Sequence, residues 1–440
     1  MAPNTSRHPR KTERVPAGLG GRDFLLLLAA TLGSFTNYAV LLSVVPLWSA
    51  EGGAGNGGAG ATTGVTMATT VASQVCMPWL LRRFHLRVLL SAGAVLLGAP
   101  TFAYLLSSSL VWILAVSALR GVGFGMVAVA GSALVAALVP STHRGRAVGW
   151  YGVAVGLPQV VFLPLGVWAA RNLGFTGVFV VTAVASLLAL PLVAAMTGRQ
   201  SGRGGPAGAA GRAPGGPRLR PLTGPFTALL AAACALGGIT TFLPLIFSGA
   251  AAPVVLFVVS ATMIAGRWAA GMWSDRSGAG GLLVPGVVAC ALGMGGLAAA
   301  TGMGQDGFGV APAAAVAYGL GFGALQNDTL VVMFRRAGTA GAGTASTAWN
   351  FAFDAGTGIG AVAVGWSARG LGMDGAFAAT AALIAVIVPV ALLDARREAA
   401  ARRAIAAREE DAPAETRRRS ARAPREEAGH RPEACRPGHG

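Results

Sequence analysis

The chain alternates between long apolar runs and short polar connections that carry arginine. A helix needs about 20 mostly apolar residues to cross the hydrocarbon core of a bilayer, because each residue rises about 1.5 Å. Twelve runs reach that length: 23–48, 61–81, 88–107, 110–139, 147–170, 175–196, 222–248, 253–273, 281–303, 310–333, 341–366 and 375–394. The first follows a basic arm, as a secretory signal would. Phe24 to Trp48 is too long for a signal's apolar region and carries Asn37 inside it, so it is read as the first span.

The connections set the expected orientation. With the N-terminus inside, the inner segments hold Arg82, Arg83 and Arg87; Arg144 and Arg146; five arginines between 199 and 220; Arg276; and Arg335 and Arg336. The outer connections hold only Arg171 and Arg369, beside the acids Glu51, Asp306 and Asp374. Positive residues favour the cytoplasmic side, so both termini are expected there, with the chain multi-pass in the inner (cytoplasmic) membrane. The expected domains are a cytoplasmic arm 1–22, a six-helix half 23–196, a Gly/Pro/Arg-rich linker 197–221, a second six-helix half 222–394, and a charged, disordered tail 395–440.

Composition agrees with a bilayer as the main partner. Apolar residues make up 54% of the chain and charged residues 12%, against about 25% charged in a soluble domain. The net charge of +17 sits in the connections and the tail. No basic stripe interleaves with stacking aromatics, so no nucleic-acid partner is expected. Cys76, Cys234, Cys290 and Cys435 are scattered, and no metal site or other cofactor is expected. Gly-x-Gly-x-Gly runs at 121–125, 319–323 and 356–360 lie inside apolar spans without a preceding strand. They read as places of close helix approach rather than nucleotide loops. No Walker A sequence is present, so ATP is not expected to drive the protein directly. No intramembrane nucleophile–base pair points to an enzyme.

The two halves repeat. Pro46-Leu47 matches Pro244-Leu245 at an offset of 198, and Trp79 and Arg82 match Trp273 and Arg276 at 194. Gly121 to Gly125 matches Gly319 to Gly323 at 198; Trp150 and Gly166 match Trp349 and Gly365 at 199. An offset of six spans preserves orientation, so the halves are parallel repeats with a binding site expected at their interface. The fold class is therefore all-α integral membrane, with twelve transmembrane helices in two six-helix parallel repeats.

Several motifs add a resemblance. Arg120-Gly121-Val122-Gly123, followed by Arg144-Gly145-Arg146, resembles the fourth helix and next loop of major facilitator superfamily transporters. Gly266-Arg267, Gly271 and Ser274-Asp275-Arg276-x-Gly278 resemble the signature loop between helices eight and nine. Gly156-Leu157-Pro158 with Pro164 and Gly166 resembles the fifth helix of drug–proton antiporters. Asn350 to Gly356 resembles helix eleven of bacterial efflux permeases. The likeness covers roughly 23–394. The loop between spans two and three departs from it: Leu80-Leu81-Arg82-Arg83-Phe84 lacks the usual glycine and aspartate.

Charge inside a membrane is costly, about 2.5–3.5 kcal/mol at mid-helix on insertion scales, so the few such residues are the candidates. Asp354 lies in the middle of span eleven with Asn350 one turn earlier on the same face. A carboxylate there can bind and release the coupling proton, or simply bond between helices. Arg120 is a fixed positive charge in span four. It could tune a nearby carboxylate or clamp an anionic substrate, and its repeat partner is the neutral Tyr318. Asn37, Gln74, Gln159, Thr240, Thr241 and Asn350 are candidate cavity-lining groups. Asp275, Arg276 and Asp328, with Arg82 and Arg83, form the expected cytoplasmic gate. The resemblance implies proton-coupled movement of a small organic molecule by alternating access, with export preferred. An importer of a sugar or organic acid, and a transporter-like sensor, are the alternatives.

Overall fold

The computed structural model describes residues 21–139, 143–197, 220–277, 280–397, 399–400 and 403. Most of the expected linker and tail therefore lies outside the described residues. Among those described, the regular structure is helical throughout. The order is α1 (Arg22–Glu51), α2 (Gly55–Arg83), α3 (Leu86–Gly98), α4 (Leu110–Leu138), α5 (Arg144–Leu173), α6 (Phe175–Leu187), α7 (Ala189–Ala194), α8 (Thr223–Ile246), α9 (Ala251–Ser277), α10 (Leu283–Gly302) and α11 (Ala311–Val386).

Three departures from the expected spans have local causes. The third span closes in a 3-10 segment, Ala99–Leu105, with Pro100 in its first turn. The sixth breaks at Leu188 into α6 and α7, beside Pro191, which cannot donate to the preceding turn. The last three spans run on as the single α11, interrupted only at Gly338 (φ 63°) and Gly372 (φ 73°). Each glycine reverses the chain with one residue in a backbone region that other residues avoid. The arms are 311–337, 339–371 and a third beginning at 373 that continues to 397. Twelve rods result, in the expected order. Nine stretches among the described residues are long and apolar enough to cross a membrane, the last, Gly343–Arg397, containing Gly372. The two rods not represented are α2, diluted by Gly and Thr, and 311–337, which carries Gln326-Asn327-Asp328 and two arginines.

Three clusters make up the described core: two lie in the first half, and the third fills the second half and takes in Ala39, Ala59, Leu163 and Val167 from the first. Phe24, Met67, Phe124 and Leu134 belong to one of the first two, and Phe242, Tyr318, Phe322 and Phe377 to the third. Glycine spacing holds the rods within each half. A side chain on Gly121 would meet Thr66 and Thr69 of α2, and one on Gly123 would meet Gly93 and Leu97 of α3. In the second half, Gly319 faces Val259 and Thr262 of α9 and Gly321 faces Gly286 of α10. The matched glycine runs thus perform the same packing in both halves. The third run differs: Gly356 and Gly360 press on α8, while Gly358 faces Met67 of α2 across the halves.

At one end of the molecule, called here the linker end, each half is buckled from first helix to last. Arg87 reaches Asp23 at 3.4 Å and the Met196 carbonyl at 2.6 Å, and Asp23 accepts the Thr197 amide. Arg336 bridges Asp394 and the Pro221 carbonyl, both at 2.8 Å.

The glycine contacts make a direct prediction. A Cβ on Gly123 would lie 2.5 Å from the Leu97 nitrogen, and one on Gly321 would lie 2.9 Å from the Gly286 oxygen. Gly123→Ala and Gly321→Ala should each destabilise the detergent-purified protein by about 1–3 kcal/mol. Gly152→Ala, with nothing within 4 Å, should leave the thermal midpoint unchanged. Equal midpoints for all three would refute the close-approach reading.

Candidate functional site

Arg120 is 3% exposed in the interior of the first half. The glycine run that follows it draws α4 against α2 and α3, and this sets the guanidinium inside the bundle. Nη2 donates to Asn37 Oδ1 at 3.0 Å, and Nη1 to the Tyr104 hydroxyl at 3.3 Å. The Tyr104 ring lies beneath the charge at 5.6 Å. Asn37 in turn donates to Thr101, and Tyr104 shares a 2.8 Å bond with Ser117. The Arg120 Nε is buried without a partner.

Asp354 is 5% exposed in the middle arm of α11. Its Oδ2 accepts a 2.7 Å bond from Gln74 Nε2, which comes from α2 in the other half. This bond joins the halves at mid-depth. Among the described residues no ion pair joins Asp354 to Arg120: Asp354 is held by Gln74 across the halves, and Arg120 by Asn37 and Tyr104 within its own half. Tyr38 stands within electrostatic reach of both.

A narrow crevice lies beside Arg120, between α1, α2 and α4. Tyr38, Thr62, Thr63, Thr66 and Pro46 line it, with room for about one water. Of the candidates read from sequence, only Arg120 lines it. Asn37 is instead fully buried as a clamp on Arg120. Thr241 bonds Thr63 across the halves at 3.0 Å, and the Thr240 carbonyl accepts Ser43 at 2.7 Å. Gln159 is half-buried on α5. Asn350 is exposed and donates to Ser346 of its own arm, so it does not join Asp354 as its i, i+4 spacing implied.

Arg82, Arg83 and Arg276 are exposed, and Arg83 lies over the Trp79 ring at 5.9 Å. The side chain of Asp275 lies outside the described residues. Asp328 is 1% exposed and accepts the amides of Gly280 (2.6 Å) and Leu282 (2.9 Å). It anchors the turn between α9 and α10 within one half, because two backbone N–H groups there would otherwise be buried without acceptors. Among the described residues, the bonds seen to join the halves run from the opposite end to mid-depth. Arg171 donates to the Pro244 and Gly249 carbonyls, and Ser43, Thr63 and Gln74 follow. None of these lies beyond Gln74 towards the linker end.

Sequence reasoning missed Tyr38 and Tyr104. The signal was available: only four tyrosines occur, and Tyr38 adjoins Asn37. It also missed that Trp349 bonds the Gln326 carbonyl and Thr329 while Arg267 lies over its ring at 5.9 Å.

The bond between the halves can be measured. In a double-mutant cycle of Gln74→Ala and Asp354→Ala, thermal unfolding in detergent should reveal a coupling of about 0.5–3 kcal/mol. Additive effects of the two substitutions would mean that the bond is not formed.

Comparison with known proteins places this geometry. The sequence model of the Major Facilitator Superfamily matches residues 27–361. Among curated proteins, none matches. Among solved structures, a bacterial homologue of the human lysosomal transporter Spinster, inward-facing and unoccupied, is 16% identical with a TM-score of 0.67, covering 85% of this chain and 96% of that one. The peptide transporter POT in complex with sulfate is 14% identical with a TM-score of 0.73, covering 87% and 96%. A POT family transporter in complex with 5-aminolevulinic acid is 13% identical with a TM-score of 0.70, covering 86% and 96%. These identities speak for the fold alone. The family match spans most of the chain, and with it the glycine-packed helices and the few buried charges are those of a multi-pass membrane transporter: the chain belongs to the Major Facilitator Superfamily.

Proposed function

We propose that the protein exports a small organic molecule across the cytoplasmic membrane in exchange for protons, by alternating access, with Asp354 as the proton carrier. The observation that carries this reading is the Gln74–Asp354 bond between the halves. A buried carboxylate held by one amide of the other half is a switch as well as a bond. When ionised it accepts a charge-assisted hydrogen bond; when protonated it holds the amide less strongly. Proton binding and separation of the halves are then linked. Rocking of the halves would make and break this contact, while the Asn37–Arg120–Tyr104 ties travel intact within one half. Arg120 takes part through its fixed charge near Tyr38, not as an ion partner of Asp354. The potential supplies about 2.3 kcal/mol per charge per 100 mV.

The test is accumulation of a panel of fluorescent organic solutes in cells with and without the protein, before and after a protonophore. Export predicts lower accumulation with the protein, restored by the protonophore. Higher accumulation would reverse the direction and favour the importer. Asp354→Asn keeps the shape and a hydrogen bond to Gln74 but cannot titrate. It should abolish uphill transport and leave counterflow exchange largely intact. Uphill transport at normal proton stoichiometry in that variant would remove Asp354 from the mechanism.

Orientation rests on arginine distribution and has its own check. Reporter fusions after residues 50, 107 and 305 should report the outside, and fusions after 84, 210 and 400 the cytoplasm. A cytoplasmic signal at 305 would break the twelve-span topology.

A further inference from the structure

We infer that Arg120 and the Tyr38 hydroxyl form a subsite for the anionic group of the transported molecule, which is therefore a carboxylate or comparable oxyanion. The inference deepens the transporter reading and rests on it only for the word transported.

The first observation is a surplus of charge. Arg120 ties α4 to α1 of its own half through Asn37. Its repeat partner Tyr318 makes the equivalent tie with its hydroxyl, to the Ala232 carbonyl of α8 at 2.9 Å. The tie therefore needs no charge. A guanidinium in its place carries a permanent positive charge into the bundle, where an uncompensated ion is strongly disfavoured. No carboxylate forms an ion pair with it among the described residues. Its two side-chain acceptors, Asn37 and Tyr104, are neutral and take two of its five N–H donors. The Nε donor is buried without a partner.

The second observation is a free donor beside it. Tyr38 is 5% exposed, lines the same crevice, and has no hydrogen-bond partner for its hydroxyl among the described residues. Its ring stacks on Phe124 at 3.6 Å and 4°, and Phe35 closes edge-on against Phe124 at 5.3 Å. The stack fixes where the hydroxyl can reach. Of the neighbouring threonines, Thr62 and Thr66 give their hydroxyl hydrogens to backbone carbonyls of α2, and Thr63 shares a bond with Thr241 in which either hydroxyl can donate. What faces the crevice is one fixed cation with spare donors and one positioned hydroxyl. That set matches an oxyanion and leaves a neutral or cationic group unmatched. The crevice is small here, so it would receive the anionic end of a molecule whose body lies in the space opened when the halves part.

The test uses the full-length protein in detergent. The probes are acetate, butyrate, benzoate, sulfate and phosphate, with acetamide, butyramide and benzamide as neutral isosteres of the three carboxylates. Binding is read as the rise in thermal midpoint with concentration. At least one anion should bind, and a binding carboxylate should bind about tenfold or more tightly than its amide. Arg120→Gln should abolish the difference, Arg120→Lys should keep part of it, and Tyr38→Phe should weaken anion binding severalfold. Should Arg120→Gln fail to fold, Arg120→Lys and Tyr38→Phe carry the test, and loss of affinity in Tyr38→Phe alone suffices. Asp354→Asn should still bind the anion, and no less tightly than the wild type, so proton coupling can fail while the subsite stands. The proposal is overturned if no probe stabilises the protein, if amides stabilise as well as acids, or if anion binding survives both Arg120→Gln and Tyr38→Phe.

Discussion

Helices in a bilayer gain little by hiding apolar surface from one another, because the lipid is as apolar as they are. Close backbone contact must hold them, and in this chain glycine makes it possible. The runs at 121–125 and 319–323 wedge one rod of each half between two neighbours. Each half becomes a body in which a single methyl group would be felt. The run at 356–360 lies partly on the seam between the bodies, against α2 as well as α8. Small residues on both sides let that seam pack tightly without interlocking large side chains.

Among the described residues, few of the contacts between the halves are polar. Arg171 at one end, the Ser43 and Thr63 bonds, and the Gln74–Asp354 bond at mid-depth are the ones described. Of these, only the last contains a group that can change its charge. The fixed charge, Arg120, is held apart from it by Asn37 and Tyr104. In the mechanism we propose, that separation gives the two buried charges different tasks: one responds to protons, and the other stays available to an anion.

Much of the fold was legible in the sequence because it follows from length, hydropathy and glycine position. The repeat between Gly121 and Gly319 proved to be a repeat of contacts as well as of letters. The limits of spans three and six were less legible, since Pro100 and Pro191 change the local helix type without ending the crossing. The candidate site was legible as a choice of residues and not as a set of partners. Asp354 and Arg120 stand out as rare charges in apolar spans, but nothing in one chain says which amide will face which charge. Gln74 and Asn37 looked alike as isolated amides; one bridges the halves and the other clamps an arginine. The two backbone amides that Asp328 accepts leave no mark in a sequence. Asn350 and Asp354 share a helical spacing but not an environment, because exposure changes within one helical turn.

The central claim is that the halves move about the Gln74–Asp354 contact under control of a proton. Spin labels at positions 83 and 276, both exposed at the linker end, would report the distance between the halves by double electron–electron resonance. The account predicts two distance populations in the wild type, with a ratio that changes with pH, and a ratio independent of pH in Asp354→Asn. A pH-driven shift of the same size in the Asn variant would contradict it.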